Sequence, residues 1–117
     1  MTDAKSLRQK KCVSCEGIGS PMPESQAREY LNLLEGWELE KNRDAIHKTY
    51  LMKNFVAAVT LIQAIAEVAE SENHHPDIHL TGYRKLRIEL STHALKGLSE
   101  NDFILAAKIE ALPKELK

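Results

Sequence analysis

The run Glu70-Ser71-Glu72-Asn73-His74-His75-Pro76 gathers the side chains best suited to moving protons. Imidazole can give or take a proton at neutral pH, which makes adjacent histidines the first candidates for acid–base chemistry. Residues four apart share a helical face, so Glu70 is expected to point toward His74 if the helix frays only in its last turn. A carboxylate there orients the ring and raises its pKa. Pro76 stiffens the corner and keeps His75 out of helical conformation. His93 is the third candidate. A hairpin that starts after Pro76 and turns near Gly82 pairs residue 77 with a residue between 88 and 92, and so returns His93 toward the pair. Three imidazoles then meet at one end of a sheet. The same set with Glu70 also suits zinc or iron. Neighbouring residues rarely ligate one ion in comfort, so no metal is expected.

The elements that must hold these residues can be read from periodicity. Residues 1–22, rich in Lys, Ser and Gly, are expected to be a flexible tail ending at Pro21 and Pro23, ahead of a single domain over residues 23–117. Ala27, Tyr30, Leu31 and Leu34 follow helical spacing, and Gly36 is a stop. Trp37 to Glu40 and Ala45 to Met52 alternate as two strands around the turn residues Asn42-Arg43-Asp44. Asn54 caps a long helix from Phe55 to about Ser71. Its apolar residues fall on two stripes: Phe55, Val59, Ile62 and Ala66, and Leu61, Ile65 and Val68. Such a helix is buried on two sides, one facing its own sheet and the other a partner subunit. Ile78 and Leu80, then Leu86, Ile88 and Leu90, mark a second hairpin with one apolar face. Ser99 and Asp102 have capping-box spacing before a last helix ending near Leu112. The order α-β-β-α-β-β-α predicts an α+β fold, a four-stranded antiparallel sheet with three helices packed on one face.

His47 and His79 are expected to be bystanders, His79 on the solvent side with Asp77. Asp102 is expected to cap its helix and to orient a site histidine. Trp37 is a core residue that can also wall a flat aromatic ligand. Cys12 and Cys15 form a C-x-x-C pair, half of a structural zinc site with no second half, and are read as reduced thiols.

With 117 residues the chain fits one domain. Its 43% hydrophobic and 28% charged residues are a globular balance rather than a disordered one. A net charge of −1 gives no basic surface for nucleic acid. No apolar run is long enough to span a membrane, and no hydrophobic segment follows the charges of Met1 to Lys11. A cytoplasmic location is therefore expected.

The spaced pattern Glu70, His74-His75-Pro76, Tyr83, His93 and Asp102, with Gly36-Trp37 upstream, resembles the pterin-4a-carbinolamine dehydratase family over roughly residues 24–112. The resemblance implies dehydration of 4a-hydroxy-tetrahydropterin, left by an aromatic amino acid hydroxylase, to quinonoid dihydropterin. Pterin is then the substrate, and no cofactor is needed. It implies His74, His75, His93 and Glu70 as catalytic residues, with Asp102 an acid near the site; Trp37 and Pro76 are expected from their positions to bind or orient. One imidazolium would protonate the leaving hydroxyl and one neutral imidazole would accept the N5 proton. The resemblance also implies a homodimer or homotetramer. Some relatives act instead as a transcription cofactor or as Rubisco assembly factors, so a non-catalytic binding or assembly role is the alternative.

Overall fold

The computed structural model describes residues 4–13, 20–42 and 44–117, with backbone only at Ala4 and His93. The described residues form four α-helices and four strands: α1 (Ala4–Gln9), α2 (Glu24–Leu31), β1 (Glu38–Leu39), β2 (Ile46–Leu51), α3 (Phe55–Glu72), β3 (Asp77–Thr81), β4 (Lys85–Leu90) and α4 (Glu100–Ala111). A 3₁₀ turn, His93–Leu95, joins β4 to the loop before α4. The sheet is antiparallel throughout, in the order β1-β2-β4-β3.

Register aligns the apolar parity of each strand. Ile46 lies opposite Leu90 and Tyr50 opposite Leu86, while Ile78 lies opposite Ile88 and Leu80 opposite Leu86. These residues share one face, where Ile46, Leu86, Ile88 and Leu90 are essentially inaccessible beneath the helices. The other parity carries a lattice of charges on the helix-free face. His47 lies between Glu38 at 3.3 Å and Glu40 at 3.2 Å, Arg87 pairs with Glu40 and Glu89, and His79 is 3.2 Å from Glu89. His79 is thus the half-exposed, solvent-side residue its alternation predicts.

Helix α3 begins at Asn54, whose side chain accepts the N–H of Ala57 at 2.8 Å. Its Leu61 and Ile65 stripe enters the core, whereas Phe55 and Val56 at its start stay exposed. Helix α4 is buried nearly all round, from Asn101 to Ala107 and at Ile109. That follows from what covers it: the sheet and α3 on one side, Tyr30 of α2 stacked on Phe103 with centroids 5.1 Å apart, and α1 on another side.

Helix α1 differs from the expected irregular tail. Leu7 is fully buried in the core cluster, so part of residues 1–22 is built into the fold, and the described residues add this helix to the three expected. Residues 14–19, with Cys15, lie outside the described residues.

At the far end of α4, one oxygen of Glu110 accepts bonds from Trp37 Nε1 at 3.1 Å, Lys48 Nζ at 2.7 Å and the Tyr50 hydroxyl. Burial pushes the Glu110 carboxyl up, but these three donors outweigh it and hold the pKa below the ordinary carboxylate value. A depressed native pKa stabilises the fold fully above the unfolded value and less as pH falls through the native one. The melting temperature is therefore expected to fall as pH drops below about 4.5, the unperturbed value, and Glu110→Gln should flatten that acid limb. A Tm-versus-pH series on both proteins checks this. Equal acid slopes would remove Glu110 from the account.

Candidate functional site

Helix α3 stops at Glu72 because Asn73 turns left-handed, with φ 53° and ψ 40°. The Asn73 N–H donates to the Glu70 carbonyl at 3.3 Å and the His74 N–H to that of Ala69 at 3.2 Å, the two bonds of a Schellman end. After glycine, asparagine enters this region at the least cost. The turn sends His74 inward and His75 outward. His74 is 8% exposed, while the His75 side chain keeps 55% of its surface in solvent.

His74 meets Asp102, with Nε2 and Oδ1 2.7 Å apart and the carboxylate completely buried. The other oxygen of Asp102 accepts the Thr92 hydroxyl at 2.9 Å and the Ser99 N–H at 3.0 Å. The second of these bonds belongs to the capping box expected from the Ser99 and Asp102 spacing. One carboxylate thus closes the start of α4, ties down the residue that follows β4 by two positions, and grips the histidine at the end of α3. An ionised Asp102 requires the proton on Nε2 and leaves Nδ1 of a neutral ring as the basic nitrogen.

Glu70 hydrogen-bonds His75, not His74. The spacing of four assumes helix through residue 74, and the left-handed Asn73 breaks that geometry one residue earlier. Both members of the Glu70–His75 pair are well exposed, so the contact contributes little to stability. Asp77 lies opposite Glu89, within the predicted pairing range, so the hairpin does return the chain to this corner. His93 opens the 3₁₀ turn directly after Thr92, the Asp102 partner; its side chain lies outside the described residues. Pro76 links the histidines to β3, half-buried.

Trp37 is not brought to this corner. Its bond to Glu110 places it eight residues along α4 from Asp102, about 12 Å at 1.5 Å per residue. Thr92 is a site residue that sequence reasoning missed; a threonine beside a histidine carries no pattern of its own. Among the described residues no group of three or more His, Cys, Asp or Glu side chains is arranged to hold a metal ion, and no helix is long and apolar enough to cross a membrane.

The corner therefore holds a buried histidine–carboxylate pair beside an exposed one. The family profile described as Pterin 4 alpha carbinolamine dehydratase matches residues 20–112. The chain belongs to this pterin dehydratase family. It is 44% identical over 112 residues to a protein of Arabidopsis thaliana named pterin-4-alpha-carbinolamine dehydratase 2, mitochondrial, spanning 93% of this chain and 60% of that one. A protein of Halorhodospira halophila bearing the pterin dehydratase name is 43% identical over 107 residues, covering 92% of this chain and 97% of that one. Among solved structures, a transcriptional coactivator/pterin dehydratase from Brucella melitensis superposes with a TM-score of 0.74 at 32% identity, over 79% of this chain and 97% of its own. A pterin dehydratase-like protein described as a RuBisCO assembly factor in the α-carboxysome shares the fold, with a TM-score of 0.56 at 20% identity, over 66% of this chain and 88% of its own.

Proposed function

We propose that this protein dehydrates 4a-hydroxy-tetrahydropterin to quinonoid dihydropterin by histidine acid–base catalysis. The observation that carries the proposal is the His74–Asp102 pair: a nearly buried imidazole fixed by a fully buried carboxylate, in a chain of this family. The C4a–O bond breaks as an imidazolium protonates the hydroxyl, which leaves as water. The N5–H proton passes to a neutral imidazole, and the C4a=N5 double bond forms. The reaction balances without a cofactor or metal. His74 takes the N5 proton, and Asp102 stabilises the imidazolium that results. His93 is assigned as the acid, and His75, held by Glu70, assists at the solvent side. Asp102 orients rather than reacts. Pro76 keeps the two histidines on their corner.

The exposed Phe55 and Val56 at the start of α3 support self-association as a homodimer or homotetramer. An aromatic amino acid hydroxylase supplying the substrate, and a cytoplasmic setting, belong to the same proposal. The test is decay of the 4a-hydroxypterin in a hydroxylase reaction, with and without this protein. Wild type should accelerate it, and His93→Ala should lose about 10²-fold of that acceleration. Equal decay with wild type, His93→Ala and no protein would reject the reading. The binding or assembly alternative would instead give a stoichiometric partner in a pull-down.

A further inference from the structure

We infer that residues Cys12 and Val13 form a strap that positions the His74–Asp102 pair, by tying the end of α3 to the start of α4 through Glu72 and Asn101. This rests on the dehydratase reading for its kinetic consequence, though not for its geometry. The Cys12 N–H donates to Glu72 Oε1 at 2.7 Å. The Val13 N–H donates to Asn101 Oδ1 at 3.0 Å, and Asn101 Nδ2 donates back to the Val13 carbonyl at 2.8 Å. The Asn101 side chain thus treats Val13 as a neighbouring strand would.

Both anchors are buried, Asn101 at 2% exposure and the Glu72 side chain at 7%. Without the strap Asn101 would carry a desolvation penalty and Glu72 would keep Lys108, 3.8 Å from its other oxygen, while Oε1 lost its donor, so their bonds to the strap are retained. Their positions give the strap its role. Glu72 lies two residues before His74, and Asn101 immediately before Asp102. The strap therefore spans the same gap that the 2.7 Å His74–Asp102 bond spans. It is itself fastened upstream: Leu7 is fully buried, Lys108 Nζ donates to the Arg8 carbonyl at 2.7 Å, and Lys10 lies 2.9 Å from Glu100. Leu7, Arg8, Lys10, Cys12 and Val13 lie upstream of the stretch matched by the family profile, while the residues that hold them, Glu72, Glu100, Asn101 and Lys108, lie within it.

The thiol fits a structural part. Burial, then the Glu72 carboxylate, push the Cys12 pKa up to about 12, so it remains a neutral donor to the Asn101 carbonyl at 3.6 Å rather than a reactive thiolate.

The experiment uses the full chain with Asn101→Ala, Glu72→Ala and the conservative Glu72→Gln, whose amide oxygen can still accept the Cys12 N–H. Two readouts are compared: ¹⁵N NMR titration of the His74 ring, and kcat, KM and the pH–rate profile per folded molecule. Loss of the strap should displace the His74 titration and, with it, the pH profile. It should lower kcat about 10-fold or more, as small misplacements of a reacting group do, with KM nearly unchanged. Glu72→Gln should recover most of the loss. A titration and pH profile that superimpose on wild type, even with a lower Tm, would reduce the strap to a plain staple and overturn the inference. Should wild type fail to dehydrate pterin, the functional reading falls while the NMR comparison still decides the strap. Should Asn101→Ala fail to fold, the Glu72 pair carries the same comparison.

Discussion

Replacing His74 by alanine is expected to lower kcat for pterin dehydration roughly 10³-fold, inside the range of one positioned acid–base group. The effect should exceed that of His75→Ala. His75 is exposed and its partner Glu70 more so, whereas His74 is locked between the end of α3 and a buried carboxylate. Thr92 and Ser99 still hold one oxygen of Asp102, but the other loses its donor in a fully buried position, so a lower Tm should accompany the kinetic loss. Added imidazole should restore part of the rate if the missing function is proton transfer. A kcat within twofold of wild type, measured per folded molecule, would remove His74 from the mechanism.

The second large effect is on stability and separates the two duties of Asp102. Asp102→Ala leaves the Thr92 hydroxyl, the Ser99 N–H and the His74 ring without their shared acceptor in a fully buried position. Breaking a buried charged network from one side costs about 3–5 kcal/mol. Urea unfolding should show this as a lower midpoint at unchanged slope. Asp102→Asn should behave differently. Its amide oxygen can keep Thr92 and Ser99, but its NH₂ then faces His74 and demands the other tautomer, with the proton on Nδ1. Stability should stay near wild type while kcat falls about as far as in His74→Ala. If Asp102→Asn is as active as wild type, the tautomer argument is wrong.

The strands and their facing were legible in the sequence because period-two alternation survives wherever one face is buried, as at Ile78, Leu80, Leu86, Ile88 and Leu90. The return of the hairpin to the end of α3 was legible too, since it is a matter of register. The exact partnerships were not. Glu70 finds His75 because a single left-handed residue, Asn73, shifts the phase of the chain, and phase is invisible to spacing rules that assume continuous helix. Helix α1 escaped notice because, among its described side chains, Leu7 is the one buried apolar residue, and one residue has no period. The roles of Thr92, Glu72 and Asn101 depend on bonds between segments distant along the chain, and nothing local announces them. Trp37 was read correctly as core, but the carboxylate it meets, Glu110, sets which end of the domain it serves.

The shared acceptor at Asp102 also limits how this scaffold can be redesigned. Grafting a different reaction onto the corner invites exchange of that residue, yet the same side chain starts the helix running through the centre of the molecule. A new chemistry here would first need a replacement cap at Ser99 or a new anchor for Thr92, so tinkering with turnover and rebuilding the architecture become one problem.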